Sequence, residues 1–204
     1  ETDMVGVSRP IVKHSFMVKR TEDIPSIIKK AFYIATTGRP GPVLIDIPKD
    51  VQFAKGKYLE PHNITIPKHR LFEPIVKGNE EQIYEACKLI ANAKKPIFYI
   101  GGGCINSGLK AANLVREFVK ETGAPATMTL MGLGVLPSSN KYSLGMLGMH
   151  GMYEANLAMH DCDVMINIGA RFDDRVTGRL DAFSPNSKKI HIDIDASSIN
   201  KNIK

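Results

Sequence analysis

The run Val164 to Ile168 (VMINI) is short, apolar and closed at once by Gly169, and such a run reads as a strand buried on both faces. A strand of that kind needs helices covering both sides of a parallel sheet, which points this stretch of chain to an α/β architecture. The neighbouring sequence repeats the pattern. Ile97 to Ile100 runs into Gly101, Gly102 and Gly103, and further strands are expected at Ala126–Leu130 and Ile190–Ile194. Between them, a helix from Glu80 carries Ile83, Ala86, Cys87, Ile90 and Ala91 on one face. Another, from about Ser107 to Thr122, carries Leu114, Val115, Phe118 and Val119, with Gly123 as its C-cap. Strands alternating with helices of this length mean a Rossmann-like parallel sheet with flanking helices.

Upstream, residues 21–37 read as an amphipathic helix. Thr21 is its expected cap, and Ile24, Ile27, Ile28, Ala31, Phe32 and Ala35 form its stripe. GRPGP at 38–42 stops it, and Val43 to Ile47 follow as a short buried strand. This is the last α-β unit of a partial α/β domain, residues 1–53. From 54 to 79 the composition turns to Pro61, Pro67 and Pro74 among Lys, His and Asn, which reads as an interdomain linker. Residues 80–204 form the second domain. With four clear strands and no closing strand after Asn200, the chain reads as truncated at both ends.

Composition narrows the function classes. The chain has 204 residues, 43% hydrophobic and 24% charged, with a net charge of +6. Its basic residues form no run and no aromatic-interleaved patch, so neither nucleic acid nor membrane is an expected partner. Three widely spaced cysteines (Cys87, Cys104, Cys162) argue against a disulfide framework or zinc site, and for a reducing compartment. No Ser/His/Asp or Cys/His nucleophile set can be assembled. The adjacent pair Asp173–Asp174 points its carboxylates apart and is a poor acid/base couple.

What remains is binding apparatus. The loop Gly169, Ala170, Arg171, Phe172, Asp173, Asp174, Arg175 follows the buried strand, where ligands bind in an open α/β sheet. Its charges admit a plainer reading, a solvated and self-paired surface turn. GGGCINSG at 101–108 stands at a strand-to-helix turn but does not match the dinucleotide fingerprint, and ATMTL ends without an acidic residue. It is either a tight turn with glycines for steric reasons or a place of backbone approach to a nucleotide's phosphate or ribose. HIDID puts His191, Asp193 and Asp195 on one face of a strand, for hydroxyl recognition, helix capping or, as a third alternative, a metal. Met146, Met149 and Met152 around His150 are either core filler or, beside Gly145, Gly148 and Gly151, a surface for a flat ligand.

Taken in order, ETDMVGVSRPIVKHSF, ATTGRPGPVLIDIPKDVQ, KKPIFYIGGGCINSG, TLMGLGVLP, LGMLGMHGMYEAN, GARFDDRVTGRL and KIHIDID closely resemble the large, catalytic subunit of the acetolactate (acetohydroxyacid) synthase family. The resemblance implies a thiamine-diphosphate-dependent condensation of pyruvate with a second 2-keto acid, pyruvate or 2-ketobutyrate, with loss of carbon dioxide. That reaction lies on the route to branched-chain amino acids. It also implies an FAD that does no net redox work. The FAD contacts it implies are Arg39, Gly101, Gly102, Gly103, Thr129, Leu130, Leu147, Gly148, Met149, His150, Gly169, Ala170, Arg171, Phe172, Asp173, Asp193 and Ile194. Lys49, Met149, Asp174 and Arg175 match positions along the substrate channel, where herbicides of this family also bind.

In the family, the glutamate that activates the thiamine ring lies before Glu1, and the Mg²⁺/diphosphate motif lies after Lys204. The chain alone is therefore expected to be inactive, with no catalytic or metal-binding residue of its own. A homo-oligomer (dimer or tetramer), a regulatory small subunit, and a cytoplasmic or organellar location complete what the resemblance implies. The alternatives are another thiamine-diphosphate carboligase or oxidase, or a non-catalytic nucleotide-binding module.

Overall fold

The computed structural model describes residues 2–66 and 73–204, which form two compact units, 1–75 and 76–204. Pro67, one of the prolines read as linker, lies outside the described residues.

In the first unit, helix α1 (Met4–Ser8) precedes strand β1 (His14–Met17), which pairs in parallel with β2 (Val43–Asp46). Helix α2 (Ile24–Thr36) crosses between them, and the short α3 (Lys49–Phe53) follows β2. Three expectations fail here. The α-helix starts at Ile24 rather than Thr21, because residues 21–23 form a 3-10 turn and Pro25 occupies the first helical turn. Thr21 does not cap it, since its hydroxyl donates to the Val51 carbonyl at 2.9 Å. Ala31 and Ile34 are the buried positions of the helix, while Phe32, expected on the buried stripe, is exposed.

The second unit is a three-layer α/β/α sandwich. Helix α4 (Glu80–Ala91) is capped by Asn79, whose side chain accepts from the Gln82 amide at 3.0 Å. Strand β3 (Pro96–Ile100) leads through a five-residue helix α5 (Gly102–Asn106) into α6 (Leu109–Thr122), which Gly123 ends at φ +66°. Then come β4 (Ala126–Met128), β5 (Ser143–Met146), α7 (Tyr153–Asp161), β6 (Val164–Ile168), α8 (Asp174–Thr177) and β7 (Lys188–Ile192).

All strands of this sheet run parallel in the order β5-β4-β3-β6-β7. One face packs Phe98, Ile100, Val164 and Ile166 against Ala112, Val115 and Val119 of α6. The other packs Ile97, Tyr99 and Met165 against Ala155 and Met159 of α7. Each large side chain so buried contributes about 1.5–3 kcal/mol.

Strand ends shift from expectation where side chains intervene. β4 stops at Met128 because the Thr129 hydroxyl caps a 3-10 turn, accepting from the Gly132 amide at 3.0 Å. β7 lies two residues earlier than expected because Asp193 and Asp195 bend the chain, accepting from the amides of Asp195 (2.8 Å) and Ser197 (3.0 Å). β5 is a fifth strand, hidden in sequence by Gly145 (φ +75°) and by a register shift against β4.

Candidate functional site

The strand order places the topological switch point between β3 and β6: the chain leaves β3 towards β4 and β5, then returns to β6 and β7 on the other side. In an open parallel sheet, the crevice at the carboxyl ends flanking that point is where a ligand fits. Two loops flank it here, Gly101–Gly103 after β3 and Gly169–Asp173 after β6.

The two loops are packed backbone against backbone. A methyl group on Gly101 would come within 2.1 Å of the Gly169 carbonyl oxygen and 2.5 Å of the Ala170 Cα. One on Gly103 would meet the Gly169 Cα at 2.7 Å, and one on Gly169 (φ +65°) would meet the Gly103 Cα at 2.8 Å. Hydrogen bonds close the seam. The Gly101 amide donates to the Ile168 carbonyl at 2.9 Å, and the Gly103 amide to the Gly169 carbonyl at 3.0 Å. The Cys104 thiol also donates to Ile168 O at 3.4 Å, and burial pushes its pKa up to about 11, so it stays an unreactive thiol. The steric reading of these glycines is therefore correct. Gly102, Gly103 and Gly169 remain partly exposed along the seam.

The β6 loop is fixed from beneath. Ala170 and Phe172 point inward, Phe172 being only 3% exposed and packed against Tyr99 and His191 at centroid distances of 5.6 and 5.2 Å. Any contact these two make with a ligand is therefore made by backbone. Arg171 and Asp173 approach at 3.7 Å and Arg175 and Asp174 at 4.0 Å, with Asp173 half-buried and the other three exposed. That is the self-paired turn of the plainer reading. Asp173 also caps α8, accepting from the Arg175 amide at 3.1 Å.

The remaining positions expected in the cradle distribute along the same edge. Thr129 spends its hydroxyl on the turn after β4, leaving Leu130 69% exposed beside Met131, which lies against Gly102. Leu147 and Gly148 are buried. The Asn156 side chain holds Gly148 by donating to its carbonyl (3.0 Å) and accepting from its amide (2.8 Å). Met149 and His150 are exposed, and the Met149 amide donates to the Arg175 carbonyl at 2.9 Å, tying this loop to α8. Asp193 lies past the end of β7 with its carboxylate 3.9 Å from His191 Nε2, and Ile194 is exposed.

His191 Nε2 faces the Ala170 carbonyl at 3.1 Å and must carry the proton there. Among the described residues no group of three His, Cys, Asp or Glu side chains could hold a metal ion. In the first unit, Arg39 stands exposed in the turn after α2, which Lys13 secures by donating to the carbonyls of Ile34 (2.6 Å) and Thr37 (2.5 Å). Lys49 opens α3, exposed, with its ammonium 5.8 Å from the Phe53 ring.

Asn167, Tyr99 and Thr127 were not singled out by sequence reasoning, although all three are fully buried. The signal for Asn167 was present: an amide inside an otherwise apolar strand must be satisfied, and so has a task.

The architecture is that of a parallel α/β domain with its loops gathered at a switch point. Residues 83–204 match the thiamine pyrophosphate enzyme central domain, and the chain belongs to that family. Over its whole length it is 52% identical to acetolactate synthase large subunits of Buchnera aphidicola (subsp. Schizaphis graminum) and of Haemophilus influenzae. It is 47% identical to the acetolactate synthase isozyme 3 large subunit of Escherichia coli. In each case the chain spans 35% of the relative's length. Among the described residues no helix is long and apolar enough to cross a membrane.

Proposed function

We propose that this chain supplies the flavin-binding middle of an acetolactate synthase large subunit. In this reading residues 1–53 belong to the pyrimidine-binding domain, 54–79 form the linker and 80–204 form the central domain. The observation that carries it is the side-chain-free seam between Gly101–Gly103 and Gly169–Ala170 at the switch point. Met131 lies against it at Gly102, and Leu130, Met131 and Met149 are exposed apolar groups of the same unit. Backbone beside apolar side chains suits an extended nucleotide with a planar ring, and Arg171 of the β6 loop offers charge to a diphosphate. These residues fit FAD.

In the complete enzyme, thiamine diphosphate with Mg²⁺ supplies the carbanion chemistry, joining pyruvate to a second 2-keto acid as carbon dioxide departs. The residues of this chain bind and orient. Gly101–Gly103, Thr129, Leu130, Leu147 to His150, Gly169 to Asp173, Asp193 and Ile194 form the cradle, and Arg39 is assigned to the cofactor by its match to the family's GRPGP motif. Met149, Asp174 and Arg175 line the path of the anionic keto acid, and Lys49 is assigned to it by its match to the family motif. The large subunit works as a homo-oligomer with a regulatory small subunit.

The test is a titration of the purified chain with FAD. The chain has no Trp, so flavin absorbance and fluorescence stand clear of the protein signal. Binding near one FAD per chain is expected, with no acetolactate formed from pyruvate by the chain alone. Binding of NAD in place of FAD, or of neither, overturns the flavin assignment.

A further inference from the structure

Three strands of the second unit are in register near their carboxyl ends, with Tyr99 beside Asn167 and Asn167 beside His191. In-register residues of a parallel sheet share a face, so these side chains form a polar row under the β6 loop. Thr127 extends the row on the other side of Tyr99, with its hydroxyl donating to the Gly145 carbonyl at 3.1 Å.

Two members converge on one peptide. The Asn167 amide donates to the Ala170 carbonyl at 2.7 Å, and its side-chain oxygen accepts from the Ala170 amide at 3.2 Å. His191 Nε2 reaches the same carbonyl at 3.1 Å, its side chain 8% exposed. A carbonyl oxygen has two lone pairs, and both are taken. With Asn167 fully buried, neither bond competes with water, and losing either leaves a buried polar group unpaired.

We propose that Asn167 and His191 act together as a positioning clamp on the Ala170 peptide, fixing the Gly169–Asp173 loop in the shape that accepts the flavin. Neither side chain touches the cofactor. The clamp rests on the flavin assignment only for its purpose, because its geometry belongs to the protein alone. His191 must carry its proton on Nε2, and the loop must owe its rigidity to a donor at that position rather than to an imidazole as such.

The test is hydrogen exchange on the cofactor-free chain with His191→Leu and His191→Gln. In His191→Leu, exchange across residues 169–173 quickens about tenfold, the size of one lost buried hydrogen bond, while β3 and β6 amides keep their protection. In His191→Gln, which restores a donor, exchange returns to within about threefold of the parent. Unchanged exchange in His191→Leu overturns the clamp. Should that variant lose protection everywhere, long-range ¹H–¹⁵N correlation spectra of the parent chain decide instead, and a proton on Nδ1 rather than Nε2 overturns it.

FAD titration separates the two claims. The leucine variant binds about tenfold more weakly and the glutamine variant within about threefold of the parent. A parent chain that binds no FAD sinks the flavin assignment, while exchange and tautomer still decide the clamp.

Discussion

The two loops beside the switch point reach a fixed shape by opposite means. After β3, Gly101–Gly103 is shaped by what is missing: any side chain on Gly101 would strike the backbone opposite. After β6, Gly169–Asp173 is shaped by what lies beneath it, an amide, an imidazole and the ring of Phe172. The first depends on space and tolerates no added atom. The second depends on hydrogen bonds and tolerates a change of residue that keeps the donor. Steric and polar control should therefore fail in different ways.

The most disruptive substitution on this comparison is Gly101→Ala. Its Cβ meets backbone, which cannot swing aside, so a cost of about 2–3 kcal/mol is expected. Thermal unfolding should show a fall in Tm of about 5 °C or more, together with loss of FAD binding. A variant as stable as the parent would show that the seam opens freely.

On the polar side, acid is the probe. Burial lowers the His191 pKa below its ordinary 6.5, against the opposing pull of the Asp193 carboxylate and the Ala170 carbonyl. The folded chain then holds fewer protons than the unfolded chain over the range below pH 6.5. This contribution to stability is accordingly complete above that value and declines as pH falls through it. Urea midpoints at about pH 5.5 and 7.5 should differ in that direction, and His191→Gln should shrink the difference. An identical difference in the variant would assign the effect to other groups.

A smaller effect of opposite sign is expected at Tyr99, whose hydroxyl is buried without a hydrogen-bond partner among the described residues. Tyr99→Phe removes an unsatisfied group and should raise stability by about 1 kcal/mol in denaturant unfolding. A loss of similar size would reveal a bond made by that hydroxyl. Smallest of all is Asp174→Asn, which touches only an exposed ion pair, and its Tm should stay within about 0.5 kcal/mol equivalent of the parent.

The same contrast explains what could be read in the sequence. β6 is legible because it is a largely apolar pentapeptide followed at once by glycine, and the matching run of β3 marks a second strand. The left-handed end of α6 at Gly123 is legible because glycine at a helix end has a local cause. The three glycines after Ile100 are visible as a motif, but their mutual packing with Gly169 joins positions more than sixty residues apart. No local pattern carries that. β5 escapes because Gly145 interrupts its periodicity, and the ends of β4 and β7 shift because Thr129, Asp193 and Asp195 bond locally to the backbone instead of continuing the ladder. The charge of the β6 loop is conspicuous in sequence, yet the residues that hold it, Asn167 and Phe172, are the inconspicuous ones.

The glycine seam has one further consequence. With no side chain between them, the loops after β3 and β6 have nothing to rotate and little room to part, so they behave as one riveted plate. A molecule arriving at this edge would lie on the plate rather than wedge it open, and would spend little of its binding free energy on ordering the surface it meets.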